Sequence, residues 1–127
     1  MKKILIAEDE EILLTVLKDR FESEGWDVSL AKDGEEATDL MAKTSFDLVL
    51  LDLLMPKKDG FEVLQEVRNN PKLKNLPIIV LSNLGGDDEV KEALQLGANE
   101  YFVKTRHSLS EVVEKASSLL KNISTKQ

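Results

Sequence analysis

Short apolar runs alternate along the chain with longer stretches in which apolar residues recur every three or four positions. A run of three or four mainly apolar residues predicts a buried β-strand. Such runs occur at 4–7, 28–31, 48–51, 78–81 and 101–103. The intervening and final stretches have the spacing of amphipathic helices, as in Leu13, Val16, Leu17 and Phe21, or in Leu109, Val112, Val113, Ala116, Leu120 and Ile123. Five strand–helix pairs in strict alternation predict an α/β domain with a parallel sheet and five helices.

The second strand differs from the others in its pattern. The runs at 4–7, 48–51 and 78–81 are apolar throughout, as expected where helices cover both faces of a parallel sheet. The stretch 26–30 instead alternates apolar and polar residues, which is typical of an edge strand with one wetter face. A central first strand and a second strand at the edge predict a doubly wound five-stranded sheet in the order 2-1-3-4-5.

Helix ends are marked by glycines and by short polar side chains. Gly25 and Gly97 lie where the first and fourth helices are expected to end, a position that favours a glycine in the left-handed conformation. Two pairs have the spacing of a capping box before a helix: Asp33 with Glu36, and Ser108 with Glu111.

Composition indicates one globular domain. The 127 residues are 42% hydrophobic and 32% charged, which suffices for one core. We expect a domain over residues 1–123 and a frayed tail at 124–127, with no DNA-binding or catalytic domain after Ile123. The chain has no cysteine and a single histidine, His107. These counts exclude disulfides, thiolate metal sites and most triad chemistry.

The net charge limits the classes of partner that this chain is expected to bind. Seventeen Lys and Arg against 24 Asp and Glu give a charge of -7, and phosphate backbones repel so acidic a chain, which argues against a nucleic-acid partner. The apolar run at 4–7 is too short for a signal peptide or a membrane span. We therefore expect a cytoplasmic protein without a membrane partner.

Polar side chains follow four of the five predicted strands. Because the carboxyl ends of parallel strands meet at one edge of the sheet, these side chains are expected to converge. They are Glu8, Asp9 and Glu10 after the first strand, Asp52 after the third, Ser82 after the fourth and Lys104 after the fifth.

This set of residues favours phosphoryl transfer onto an aspartate. Clustered carboxylates repel one another unless a cation neutralises them, and short oxygen ligands suit Mg²⁺. Lys104 adds a positive charge for phosphoryl oxygens, and an aspartate is a known nucleophile in such chemistry. Each residue also has a structural alternative: Asp9 or Glu10 as a helix cap, Ser82 as a turn residue, Lys104 as an edge residue reaching solvent. A purely structural role is harder to assign to Asp52, since it directly ends an apolar run, where a charge is costly.

Four stretches resemble the receiver domain of two-component response regulators, in particular the single-domain, chemotaxis type. They are Ile-Leu-Ile-Ala-Glu-Asp-Glu at 4–10, Leu-Asp-Leu-Leu-Met-Pro-Lys-Lys-Asp-Gly at 51–60, Ile-Ile-Val-Leu-Ser at 78–82 and Gly-Ala-Asn-Glu-Tyr-Phe-Val-Lys at 97–104. The resemblance covers essentially the whole chain, and it implies the flavodoxin-like fold of that family. The strand order inferred above is also the family's own.

The resemblance assigns a role to each residue of the site. It implies that Asp52 is the phosphoacceptor and that Lys104 grips the phosphoryl group. Asp9 would be the direct Mg²⁺ ligand, with Glu8 acting through water and the Leu54 carbonyl completing the protein ligands.

A second set of roles concerns switching and lifetime. By resemblance, Ser82 is the switch hydroxyl, and Tyr101 is an aromatic residue that moves inward when the hydroxyl follows the phosphoryl group. A half-buried strand aromatic is the structural alternative for Tyr101. Leu54 and Leu84 occupy the positions that flank the approach of hydrolytic water, and neither can hydrogen-bond it.

Two residues depart from the family pattern. Receivers usually follow the lysine with a cis-proline, whereas Thr105 follows Lys104 here. A cis bond without proline costs about 2.5–4 kcal/mol, so the turn is expected to be either strained or rebuilt. Glu8 stands where many members have Asp, a replacement that the family tolerates.

The resulting functional hypothesis is a stand-alone receiver that signals by binding. It would accept a phosphoryl group from a sensor histidine kinase or phosphotransfer protein and bind an unknown downstream protein target, as a monomer or a weak phosphorylation-dependent dimer. Self-phosphorylation from small donors and slow self-dephosphorylation would accompany this role. The main alternative is a phosphorylation-independent binding module of the same fold. A flavin carrier is disfavoured because the acids after the first strand repel phosphate, and an aspartyl phosphatase because there is no room for a cap insertion.

Overall fold

Five strands alternate with five helices in the computed structural model, which describes residues 1–125, with side chains through Lys121. Their bounds are β1 Lys3–Ala7, α1 Glu11–Ser23, β2 Asp27–Ala31, α2 Gly34–Lys43, β3 Leu48–Leu51, α3 Gly60–Asn69, β4 Ile78–Ser82, α4 Asp87–Gln95, β5 Glu100–Val103 and α5 Leu109–Thr125. Of the predicted tail, Lys126 and Gln127 lie outside the described residues, as does the side chain of Ile123.

The strands form one parallel sheet in the order β2-β1-β3-β4-β5. This confirms the predicted order and the edge position of β2. The residues of β3 and β4 are buried throughout, whereas β2 has one buried residue, Ala31. The alternating pattern at 26–30 therefore reported the position of this strand correctly, since only an edge strand leaves backbone and side chains partly in water.

Two apolar layers cover the two faces of the sheet because successive side chains on a strand point in opposite directions. Leu5 belongs to the layer formed with α2, α3 and α4, whereas its neighbours Ile4 and Ile6 belong to the layer formed with α1 and α5. Full burial of one such side chain contributes about 1.5–3 kcal/mol. The two layers thus hold the strand ends in fixed register, and this register positions the polar residues that follow them.

The predicted helix ends are confirmed. Gly25 and Gly97 have positive φ angles of 90° and 111°. The Asp33 carboxylate accepts a hydrogen bond from the Glu36 backbone N–H at 2.8 Å. The second capping box is reciprocal: the Ser108 hydroxyl accepts from the Glu111 N–H at 3.2 Å, and the Glu111 carboxylate accepts from the Ser108 N–H at 3.1 Å.

The turn after β5 is rebuilt. Residues 1–125 contain no cis peptide bond, so Lys104 and Thr105 are joined in the trans form. The N–H of Arg106 donates to the carbonyl of Val103 at 2.9 Å, and the His107 ring packs edge-on against Phe102, with centroids 5.0 Å apart. His107 Nδ1 also lies 3.2 Å from the backbone nitrogen and from the carbonyl oxygen of Val103, so the ring is held against the end of β5.

Within residues 1–125, no helix combines the length and apolar character that a membrane span requires.

Candidate functional site

The side chains that follow β1, β3, β4 and β5 meet at the carboxyl edge of the sheet. Backbone hydrogen bonds continue beyond the strands and carry them there: Asp52 N–H donates to Ala7 at 3.0 Å, and Lys104 N–H donates to Ser82 at 2.9 Å. Glu8, Asp52 and Ser82 are only 2%, 4% and 0% exposed. Polar groups so deeply buried are stable only when other polar groups satisfy them.

Lys104 lies at the centre of this group. Its ammonium contacts Glu8 Oε1 at 2.8 Å, Glu10 Oε1 at 3.2 Å and Asp52 Oδ2 at 3.2 Å. Burial alone would lower the pKa of Lys104, but the hydrogen bond to Glu8 and the charge of Asp52 together raise this pKa above its ordinary value. The ammonium therefore points into the site, and the alternative in which Lys104 reaches out to solvent is wrong.

The surroundings of Glu8 have opposing effects on the negative charge of its carboxylate. Burial raises the pKa of Glu8 to about 7, although hydrogen bonds from Lys104 and from the Glu10 N–H act in the opposite direction. The remaining cost of the buried negative charge favours binding of a further cation beside Glu8.

Three carboxylates are arranged to hold such a cation. Glu8, Asp9 and Asp52 each offer an oxygen, and these oxygens lie within 4.8 Å of one another. An all-oxygen set with one exposed member fits Mg²⁺, which binds few protein ligands and keeps several waters. Glu10, rather than Asp9, is the N-cap of α1, and among the described residues its side chain caps no N–H. The helix-cap alternative is therefore wrong for Asp9, whereas Glu10 occupies the cap position without a side-chain cap bond.

The Asp52 loop explains the glycine of the motif at 51–60. The N–H of Gly60 donates to the Leu53 carbonyl at 3.0 Å, and a Cβ on Gly60 would lie 2.5 Å from the Asp52 carbonyl oxygen. No other residue fits this approach without moving Asp52. The N–H of Leu54 donates to Asp52 Oδ1 at 3.2 Å, which orients the carboxylate and places the Leu54 peptide beside it.

Ser82 and Tyr101 are linked through the backbone of Leu84. The Ser82 hydroxyl accepts a hydrogen bond from the Leu84 N–H at 3.3 Å, and the Tyr101 hydroxyl donates to the Leu84 carbonyl. The Tyr101 ring lies inward, 8% exposed, and burial raises the pKa of its hydroxyl. A displacement of the loop at Ser82 would therefore reach Tyr101 through a single residue.

The two leucines differ in their surroundings. The Leu54 side chain is 52% exposed, whereas Leu84 is half-buried and packs against the core layer below α4. Their proposed effect on hydrolytic water stays a prediction.

Two features of the site escaped sequence reasoning. The link through Leu84 uses backbone atoms, which leave no signal in the side-chain pattern. The contact of Glu10 with Lys104 depends on the path of the chain between β1 and α1. Three consecutive acids signal a charged rim, but they do not tell which of them turns back toward Lys104.

Comparisons with known proteins identify the family. A profile of the response regulator receiver domain matches residues 4–116. The transcriptional regulatory protein CpxR of Escherichia coli strain K12 is 40% identical over 104 residues, 82% of this chain and 43% of CpxR. The probable transcriptional regulator ycf27 of Cyanidium caldarium is 37% identical over 123 residues, 97% of this chain and 48% of that protein. The chain spans less than half the length of these curated relatives.

Solved receiver structures superpose closely on this chain. The Francisella response regulator 1452 receiver domain matches with a TM-score of 0.89 and 31% identity, covering 97% of this chain and 99% of that one. The receiver domain of sensor histidine kinase PA1611 from Pseudomonas aeruginosa PAO1, which has a magnesium ion coordinated in its active site cleft, matches with a TM-score of 0.86 and 27% identity over 94% and 98% of the two chains. With the family profile covering most of its length, the chain belongs to the response regulator receiver domain family of two-component signalling.

Proposed function

We propose that this receiver is a phosphorylation switch in which Asp52 accepts a phosphoryl group from a histidine kinase or phosphotransfer protein. One observation carries the proposal: the Asp52 carboxylate is 4% exposed, yet it is oriented on both oxygens, by Leu54 N–H at 3.2 Å and by Lys104 Nζ at 3.2 Å. A buried carboxylate whose two oxygens are both held in direction is prepared for nucleophilic attack.

Phosphoryl transfer exchanges one bond to phosphorus for another. An Asp52 oxygen forms a bond to phosphorus as the phosphorus–nitrogen bond of a phosphohistidine, or the phosphorus–oxygen bond of acetyl phosphate, breaks. The electron pair leaves with the imidazole, which takes up a proton from water, or with acetate. Lys104 stabilises the phosphoryl oxygens as charge shifts onto them.

Mg²⁺ is the proposed cofactor. Glu8, Asp9 and Asp52 would hold it, together with the Leu54 carbonyl. When bound, it neutralises charge on the phosphoryl oxygens and orients them.

The proposed output is a change in protein binding. Ser82 would follow the phosphoryl group and move the Leu84 backbone, to which the Tyr101 hydroxyl is bonded. The position of the Tyr101 ring would then depend on the state of Asp52. Under this proposal, the switch binds an unidentified downstream protein in the cytoplasm. The receiver acts there as a monomer or as a weak phosphorylation-dependent dimer.

Labelling by acetyl phosphate in the presence of Mg²⁺ tests the proposal. Intact-protein mass spectrometry is expected to show one added phosphoryl group on wild type and none on Asp52→Asn. Asp39→Asn, which removes the same charge from an exposed position on α2, is the matched control and is expected to label like wild type. Absence of labelling in wild type, with the fold intact, would leave the phosphorylation-independent binding module as the better interpretation.

A further inference from the structure

Lys104 has a third carboxylate partner that differs from the other two in its exposure. The Glu10 side chain is 55% exposed and the Lys104 side chain 10%, with Glu10 Oε1 3.2 Å from the ammonium. The partners Glu8 and Asp52 are 2% and 4% exposed. Glu10 is thus the one solvent-exposed group among the three carboxylates around the ammonium.

These three contacts surround the ammonium with negative charge. A lysine ammonium has three N–H donors; it donates to Glu10 and to Asp52, each at 3.2 Å, and it forms an ion pair with Glu8 at 2.8 Å. A phosphoryl oxygen that approaches the ammonium therefore competes with these carboxylates for it.

Glu10 is the partner that leaves at the lowest cost. A buried carboxylate that loses its donor keeps the full penalty of desolvation, whereas an exposed one rebonds to water. Glu8 and Asp52 can bind a cation without leaving Lys104, because a carboxylate has about four acceptor sites on its two oxygens.

Two further observations show that the local fold does not depend on the contact between the Glu10 side chain and Lys104. Glu10 is the N-cap of α1, but among the described residues its carboxylate caps no N–H, so the helix does not require that side chain. The backbone N–H of Glu10 donates to Glu8 Oε2 at 3.0 Å. The peptide thus anchors Glu8 whether or not the Glu10 side chain contacts Lys104.

We propose that Glu10 is a positioning residue that restrains the Lys104 ammonium before phosphorylation and is displaced when Lys104 grips the phosphoryl group. Its contact opposes the modified state, and its charge repels dianionic phosphodonors at the mouth of the site. The inference rests on the proposed role of Asp52 as phosphoacceptor.

Glu10→Gln tests the proposal against Glu11→Gln. Each change removes one negative charge at the start of α1, but Glu11 pairs with Lys32 at 3.5 Å instead of with Lys104. Beryllium fluoride serves as the phosphoryl mimic, and its affinity is measured by fluorine NMR at saturating Mg²⁺. Glu10→Gln is expected to bind it about two- to fivefold more tightly than wild type, the range for loss of an exposed ion pair. Glu11→Gln is expected to match wild type.

A spectroscopic measurement on wild type follows the displacement directly. The carboxyl carbon resonance of Glu10 is expected to move to the position of a free, exposed glutamate when the mimic binds, while that of Glu11 stays unchanged. Equal affinities in the two variants, or a Glu10 resonance that stays in place while the mimic binds, would overturn the displacement and leave the role of Asp52 intact. Wild type that neither binds the mimic nor labels with acetyl phosphate would overturn both proposals together.

Discussion

Gly60 shows how one atom can set the position of a reactive group. A Cβ at this position would lie 2.5 Å from the Asp52 carbonyl and 2.7 Å from the Leu53 Cα. Both are backbone atoms, which cannot swing away as a side chain does. The requirement for glycine eight residues after the aspartate therefore comes from the approach of α3 to the Asp52 backbone.

Gly60→Ala is accordingly expected to lower the free energy of unfolding by about 1–3 kcal/mol, as overpacking does, and to reduce phosphorylation of the folded protein. Gly25→Ala is the matched comparison, since a Cβ there meets nothing within 4 Å although φ is 90°. Strain in the left-handed backbone is expected to cost Gly25→Ala about 1–2 kcal/mol of stability. Phosphorylation of this variant is expected to stay unchanged. Urea unfolding and mass spectrometry give the two readouts. Normal labelling of Gly60→Ala would show that the approach to Asp52 has no functional effect.

Leu54 governs the lifetime of the phosphorylated state if its exposed side chain excludes ordered water from the phosphorus. Leu54→Asn is expected to speed self-dephosphorylation several-fold, because an amide can hydrogen-bond the attacking water. Leu54→Ala, which shortens the side chain without adding polarity, is the control. Leu84→Glu is expected to speed self-dephosphorylation as well. Because Leu84 packs against the core, the stability of this variant is measured in the same experiment. The readout is decay of phosphorylated protein after the donor is removed, and equal decay in wild type and in both polar variants would refute the mechanism.

At the scale of elements, the start of α2 depends on a charged cap. The Asp33 carboxylate accepts the Glu36 N–H and lies 3.7 Å from the Lys57 ammonium. The hydrogen bond to the Glu36 N–H lowers the pKa of Asp33, and the charge of Lys57 adds to this effect.

Because the pKa of Asp33 is lower in the folded than in the unfolded state, ionisation of Asp33 stabilises the fold above the unfolded pKa of about 4. That contribution is lost as pH falls through the lower, folded value. Asp33→Ala is therefore expected to destabilise the protein most near neutral pH, with the difference from wild type shrinking in acid. Urea unfolding between about pH 7 and about pH 3 measures this. Asp33→Asn keeps an acceptor oxygen without the charge, so its loss should be smaller. A difference that is constant across this pH range would contradict the assignment.

Arg68 of α3 ties together the loops at the amino edge of the sheet. Its guanidinium donates to the carbonyls of Gly97, Lys74 and Leu76 and to the Asn99 side chain, and Asn99 Oδ1 also accepts from the first residue of β4. Arg68 thereby fixes the entry of β4 and β5, at the end of the sheet opposite Asp52.

Arg68→Met is expected to cost about 2–3 kcal/mol of stability, since charged hydrogen bonds to partly buried carbonyls are lost. Phosphorylation of the folded fraction is expected to stay unchanged. Arg68→Lys keeps the charge but not the planar fork of donors, and it should recover only part of the loss. Thermal unfolding compares the stability of the two variants with that of wild type. Reduced phosphorylation in a fully folded variant would mean that the amino edge of the sheet influences the site.

At the scale of the whole molecule, the acidic rim links metal binding to folding. Any cation that binds only the folded state stabilises it, by about 2.7 kcal/mol at a concentration one hundred times its dissociation constant. Mg²⁺ is expected to raise the melting temperature of wild type and of the exposed control Asp39→Ala, but hardly that of Asp9→Ala. An equal rise in all three proteins would remove Asp9 from the metal site.

The sheet was predictable from the sequence because its signals are long and regular. Residues 26–30 alternate and mark the edge strand, while the apolar run before Asp52 marks a central one. The site was predictable only as a set of strand-end residues, since the loops that follow obey no period. Thr105 signalled an unusual turn, but the packing of His107 against Phe102 required the folded chain. The turn of Glu10 toward Lys104 likewise depends on a few backbone angles that no residue pattern encodes.

The site draws its parts from strand ends that are far apart along the chain: Glu8, Asp52, Ser82 and Lys104. A ribosome making this chain releases the aspartate well before the lysine. Until β5 has emerged and docked beside β4, the nascent chain carries Asp52 without the ammonium that neutralises it. Under the proposed function, a kinase therefore cannot act before β5 is in place, and competence for signalling begins only when this last strand has joined the sheet.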